Sequence, residues 1–355
     1  MAYTPNKAIH PGHVIARELG RAGMTQKNLS DRTGLSEKHI SQIINGEASF
    51  SVDTALLLEN ALGGAAGFWI NLEKNYQETK ARIERSGLLK KEVALLAQFP
   101  YTELAQRKCV PETSDKERRV ENLWKFFAVN SLNSVQLTEA IAYRKRAGVV
   151  VKEGTIAAWL RWGELDSKAN KVAQFSESML KQSLVKLREL TLKDPDAFSG
   201  ECQKVLADSG VSLVYIPHFP GTGVSAAVRW LADTPVIQLS LLGAYADIFW
   251  FNLFHEIGHL LLHGKKEKFI EFDNRDLRFV KEKEKEADSF ASNALIPIDS
   301  YKGFVDEGDF SRGAVERFAK RQRIHPGIVE GRLCFDEKRS WSKPLGFRTR
   351  LKFAV

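Results

Sequence analysis

Apolar positions along this chain follow two rhythms. Up to about residue 200 they recur at helical spacing; between 210 and 240 they gather in short β-like runs, and helical spacing then returns. The pattern predicts short helices over 13–21, 26–32, 37–44 and 52–62. Thr25, Ser36 and Ser51 stand as N-caps, Gly34 lies in a turn, and Asn45-Gly46 forms a stop. A further helix is expected over 75–98, ended at Phe99-Pro100-Tyr101, with a boundary loop at Pro111–Asp115. Helices at 116–127, 153–162 and 172–192 follow, and Lys193-Asp194-Pro195 stops the last. Runs 211–216, 226–231 and 235–240, separated by Pro/Gly/Asp turns, read as strands of a small sheet whose edge could take an extended peptide. Residues 251–263 then read as a buried helix. A second helix from Glu282 shows an apolar face of Ala287, Phe290, Ala291 and Ala294, and helices near 311–323 and 324–333 close the pattern.

Composition changes this picture little. An apolar share of 43% and a charged share of 27% suit a globular protein with more than one core. No run nears eighteen apolar residues and no signal-peptide core is visible, so a cytoplasmic protein without membrane contact is expected. Three scattered cysteines, Cys109, Cys202 and Cys334, fit a reducing compartment. The net charge of +8 is uneven: residues 1–80 balance eight basic against eight acidic groups, 81–152 carry fourteen against eight, and 338–355 carry six against none. The basic middle reads first as a solvated helical surface and second as a nucleic-acid contact.

The chemistry concentrates in His255-Glu256-Ile257-Gly258-His259. Residues four apart on a helix differ by about 40° around its axis, so His255 and His259 share a face and can fill two corners of a zinc tetrahedron. Glu256 is placed to hold the metal-bound water. His263 continues along the helix, but its Cα lies about 12 Å from that of His255, too far to close on the same ion. The third ligand is expected from the second helix, with Glu284 first and Glu286 next. Asp288, four residues from Glu284, is expected to accept the second N–H of a ligand histidine. Gly264 reads as a helix cap. His218 is a candidate cleft residue able to stabilise an oxyanion, and Cys109 a candidate thiol cap on the metal.

His-Glu-Ile-Gly-His-Leu-Leu-Leu-His, followed by Glu284-Lys-Glu-Ala-Asp-Ser-Phe-Ala before Leu295-Ile-Pro297, resembles the ImmA/IrrE family of bacterial zinc metallopeptidases over roughly residues 200–335. The resemblance implies Zn²⁺ held by His255, His259 and Glu284, with Glu256 as general base. It also implies a helix-turn-helix repressor as the protein cleaved. Near the N-terminus, the spacing Thr25-Gln26-x-x-Leu29, Gly34-Leu35-Ser36, Ser41-x-Ile43-x-Asn45-Gly46 is that of a helix-turn-helix. Ile40, Ile43 and Ile44 are expected to pack inward, which leaves Lys38, Ser41, Gln42 and Asn45 for base edges and Gln26 and Lys27 for phosphates. With His10-Pro11-Gly12 and Gly67-Phe68-Trp69-Ile70-Asn71-Leu72, residues 8–80 resemble the HigA antitoxin family. That resemblance implies operator DNA and a homodimer. Fusion to a long C-terminal part departs from the family pattern, so a toxin remains a candidate partner only.

The expected class is α+β, mainly helical. It comprises a five-helix helix-turn-helix domain (1–80), a helical connector (81–200), a zincin-like metallopeptidase domain with a small sheet (201–335) and a basic tail (336–355). The expected function is a DNA-binding regulator with a zinc endopeptidase that cleaves a repressor, an antitoxin or itself in a stress, toxin–antitoxin or mobile-element operon. The alternative is a non-catalytic repressor whose peptidase fold only binds a partner or signal.

Overall fold

The computed structural model describes residues 7–135, 152–220, 225–240, 245–263 and 277–351. By contact the chain divides into two compact units, Met1–Ala94 and Leu95–Val355.

The first unit consists of α1 (Gly12–Arg21), α2 (Gln26–Thr33), α3 (Glu37–Ile44), α4 (Val52–Leu62) and α5 (Ala66–Glu92). Its local signals act as the sequence predicts. Thr25 Oγ1 accepts from the Asn28 N–H while Asn28 Oδ1 accepts from the Thr25 N–H, a reciprocal cap, and Ser36 and Ser51 cap α3 and α4. Gly34 ends α2 in the left-handed region at φ 71°. Ile15, Leu19, Leu29, Ile40, Ile43 and Trp69 form the core. His10-Pro11-Gly12 has a packing role. A Cβ on Gly12 would stand 2.2 Å from the Ile43 carbonyl oxygen, so only glycine lets α1 begin against the last turn of α3. His10 Nδ1 accepts from the Gly12 N–H at 2.9 Å, and its ring meets Tyr76 of α5 edge-on. The fifth helix differs from expectation. It starts at Ala66 and closes at Glu92, and residues 93–98 tighten into a 3₁₀ turn.

The second unit opens with α6 (Tyr101–Gln106), α7 (Lys116–Phe127), α8 (Glu153–Ser167), α9 (Glu177–Leu190) and α10 (Pro195–Asp208). Strands β1 (Ser212–Tyr215), β2 (Ala226–Leu231) and β3 (Thr234–Leu239) form a sheet in the order β1-β3-β2. β3 is parallel to β1 and antiparallel to β2. α8 is fastened to this sheet: Trp159 Nε1 donates to the Ile216 carbonyl at 3.1 Å, and Gln238 of β3 donates to the Trp159 carbonyl at 2.7 Å. Expectation holds only in part at residues 172–195, where the helix covers 177–190. α9 begins only at Glu177, because the N–H groups of Ala173 and Ser176 bond to the carbonyls of Ala207 and Ser209 at the end of α10. Pro195 ends nothing; it occupies the first turn of α10, where its missing N–H is harmless, and that helix was not foreseen.

The unit closes with α11 (Ala246–Leu262), α12 (Leu277–Leu295), α13 (Ile298–Glu307), α14 (Arg312–Gln322) and α15 (Pro326–Phe335). Phe249, Trp250, Leu253, Phe254 and Ile257 bury α11 within the core. The segment after α15 folds back over the start of α11. Buried Glu330 accepts from the Phe347 N–H at 3.0 Å, Arg348 Nε donates to Asp247 at 2.9 Å, and the Ala246 N–H donates to the Thr349 carbonyl at 2.9 Å. Arg339 is likewise tied to the Phe310 and Lys343 carbonyls. Two of the basic groups of this segment are thus committed within the unit. Among the described residues no helix is long and apolar enough to cross a membrane.

Candidate metal centre and nucleic-acid interface

The centre forms where α11 and α12 pass closely, and small residues permit the approach. A Cβ on Gly258 would lie 3.0 Å from the Phe290 ring and 3.4 Å from the Ala287 Cα, while Ala287 and Ala291 are fully buried opposite. That contact brings carboxylates of α12 to the histidine face of α11. His255 Nε2 and His259 Nε2 are 3.0 Å apart. Glu284 approaches His255 Nε2 through Oε2 and His259 Nε2 through Oε1, each at 3.3 Å. One ligand atom from each residue lies within 4.8 Å of the others. Zinc bonds of about 2.0–2.2 Å place tetrahedral corners about 3.3 Å apart, so the spacing and the two-imidazole, one-carboxylate donor set fit that ion with a corner left for water or substrate.

Of the two carboxylates weighed for the third position, Glu284 is the one brought into the group; Glu286 is not. Asp288 Oδ1 lies 2.8 Å from His255 Nδ1 and so meets the ring nitrogen opposite the triad. Burial opposes charge on His255, but hydrogen bonds to Asp288 and Glu284, with Glu256 nearby, outweigh it and raise its pKa to about 10. His263 is not among the clustered donors. Its Nδ1 sits 3.0 Å from His259 Nδ1, and its Nε2 sits 2.9 Å from Glu286 Oε2. Sequence reasoning rejected His263 as a ligand and missed this arrangement; the signal was its place one helical turn after His259. Glu256 is buried, and its Oε2 has no hydrogen-bond partner among the described residues. A carboxylate oxygen held dry in this way beside a donor cluster suits proton transfer.

Other candidates fall elsewhere. The His218 carbonyl accepts from Arg107 at 3.0 Å, and burial, then the Arg107 charge, lowers the pKa of its ring. Burial raises the Cys109 thiol to about 11, so without a metal it is a protonated, unreactive thiol near neutral pH. Neither residue belongs to the donor cluster. Gly264 lies outside the described residues; α11 ends at Leu262, with His263 as its C-cap.

In the first unit, Ile40 and Ile43 are buried and Ile44 packs against the core. Lys38, Ser41, Gln42 and Asn45 recur at three- and four-residue steps and form one stripe on α3. Lys38 and Asn45 are exposed, and Ser41 and Gln42 half-buried. Asn45 Nδ2 donates to Ser41 Oγ at 3.4 Å. Gln26 and Lys27 are exposed in the first turn of α2.

A helix-turn-helix followed by a peptidase-like fold with clustered donors defines a regulator with a DNA-binding domain and a peptidase-like domain. Comparison with known proteins supports both halves. Residues 15–68 match the helix-turn-helix family, here of XRE type, and residues 214–309 match the IrrE N-terminal-like domain. Residues 15–68 are therefore an XRE-type helix-turn-helix domain, and residues 214–309 an IrrE/ImmA-like domain. Virulence-associated protein I of Dichelobacter nodosus is 29% identical over 82 residues, which span 23% of this chain and 76% of that protein. An addiction module antidote protein of the HigA family from Coxiella burnetii is 31% identical, covering 26% of this chain and 94% of its own, with a TM-score of 0.21.

Proposed function

We propose that this protein is an operator-binding regulator whose second unit is a zinc-dependent endopeptidase. The observation that carries the peptidase reading is the convergence of His255, His259 and Glu284 beside buried Glu256. His255, His259 and Glu284 would hold the ion, and Asp288 would orient the His255 ring. Bound there, Zn²⁺ would supply Lewis acidity, polarising the scissile carbonyl and lowering the pKa of a water. Glu256 takes the proton from the attacking water and returns it to the leaving amine. The protein cleaved would be a helix-turn-helix repressor or antitoxin, or this chain itself. Gln26 and Lys27 would grip phosphates while Lys38, Ser41, Gln42 and Asn45 read base edges, with the protein acting as a cytoplasmic homodimer. A toxin is a further candidate partner, since one relative of the N-terminal part is described as an antidote.

Glu256→Gln provides the test. The expected result is undiminished zinc content and operator binding with loss of cleavage of regulators encoded beside this gene. If the zinc-loaded wild type cleaves none of them, nor itself, the protein is a repressor whose peptidase fold only binds.

A further inference from the structure

Resting on the reading that His255, His259 and Glu284 hold zinc, we infer that His263 and Glu286 form a hydrogen-bonded relay that fixes the tautomer and orientation of His259. The two ligand histidines are backed differently. His255 meets a carboxylate directly, with Asp288 Oδ1 2.8 Å from its Nδ1. Behind His259 stands an imidazole: its Nδ1 faces His263 Nδ1 at 3.0 Å, and His263 Nε2 in turn faces Glu286 Oε2 at 2.9 Å. Helix geometry accounts for the difference. Asp288 is one turn from Glu284 on α12 and reaches His255, whereas His259 is backed by the imidazole one turn further along its own helix.

Only one proton assignment satisfies both of these contacts when His259 offers Nε2 to a metal. His259 must carry its proton on Nδ1 and donate it to His263 Nδ1. The proton of His263 must then sit on Nε2 and be donated to Glu286. Each imidazole is neutral, each contact has one donor and one acceptor, and the negative charge at the far end favours that direction. His263 is not a fourth ligand, because its near nitrogen faces the side of the His259 ring opposite the donor cluster. Burial makes the contact consequential. The His259 and His263 side chains are 0% and 4% exposed, so solvent cannot readily replace His263 as acceptor. Glu286 is 62% exposed and forms the wet end of the relay. His263 and Glu286 are thus positioning residues, acting on the metal through His259.

The test measures zinc affinity of the full chain by chelator competition, together with the visible spectrum of the cobalt-substituted protein. Wild type, His263→Ala, His263→Asn and Glu286→Ala are compared. Outer partners of metal-bound histidines are worth roughly 10–100-fold in metal affinity, and His263→Ala is expected to lose that much and shift the cobalt bands. Asn can still accept the His259 proton through its side-chain oxygen, so His263→Asn should recover most of the loss; Glu286→Ala should fall between wild type and His263→Ala. Zinc affinity of His263→Ala within about twofold of wild type, far short of the 10–100-fold range, overturns the relay. If His263→Ala fails to fold, the remaining two variants decide: an unchanged Glu286→Ala overturns it equally. A wild-type protein that binds no zinc removes the metal reading itself, an outcome distinct from failure of the relay.

Discussion

The two sites of this chain are built on opposite plans. The polar stripe of α3, proposed to read base edges, stands outside its core, carried on a single helix whose buried residues sit beneath it. The donor cluster lies within its unit, divided between α11 and α12, with 28 positions from Glu256 to Glu284. A surface stripe asks only that its helix form and be held; its side chains meet their partner later. A buried cluster asks that two helices pass within a side chain's reach, and every polar atom drawn inside must be accounted for there and then. Each plan nevertheless rests on a glycine at the closest approach, Gly12 against α3 and Gly258 against α12.

The largest expected effect separates the carboxylates of α12. Glu284→Ala should weaken zinc binding by more than about 100-fold, beyond what an outer partner contributes. A result in which Glu286→Ala does worse would reassign the third donor. Next come the glycines. Gly12→Ala and Gly258→Val should each cost about 1–3 kcal/mol by overpacking, read as lowered denaturant midpoints. Gly12→Ala should impair operator binding and leave zinc affinity intact, and Gly258→Val the reverse; equal damage to both functions by either variant would break the contrast drawn above. On the DNA side, Gln42→Ala should cost about 1–3 kcal/mol for the preferred operator and relax preference at one base pair. A uniform loss across sequences would make Gln42 a backbone contact.

Metal-stripped protein offers a test by pH. The folded pKa of His255, about 10, lies above the ordinary value near 6.5. The charged imidazole between Asp288 and Glu284 therefore contributes stability that is complete below about pH 6.5 and fades as pH rises toward 10. Melting temperature should fall over that window, by about 2–4 °C for each kcal/mol lost in a unit of this size. Asp288→Asn should flatten the slope, and an unchanged slope in that variant would mean that another group titrates. The smallest effect is expected from Lys27→Ala, which should lower the salt slope of DNA binding by about one without changing sequence preference.

Much of the first unit was legible because its signals are local. Thr25, Ser36 and Ser51 cap helices a few residues away, and Gly34 ends one by its own backbone angle. The strands were legible for the same reason, by composition between turns. The segment 172–208 misled because Pro195 reads equally as a stop and as a first turn. The fold decides between them by placing Pro195 in the first turn of α10, whose far end then pairs with Ala173 and Ser176. The basic count near the C-terminus suggested a separate tail, but sequence could not reveal that Arg348 is held by Asp247, 101 positions away.

Sequence alone determined the period of most elements, the caps at Thr25, Ser36 and Ser51, and the placing of His255 and His259 on one face, because a helix sets the angle between its own residues. It also narrowed the third donor to a short acidic run. Tertiary structure decided which carboxylate of that run arrives, that Asp288 backs His255, and that His263 stands behind His259. Those outcomes depend on the distance and rotation of one helix against another. Periodicity within a strand or helix carries no record of either; buried small residues such as Gly258 and Ala287 set them only once the chain is packed.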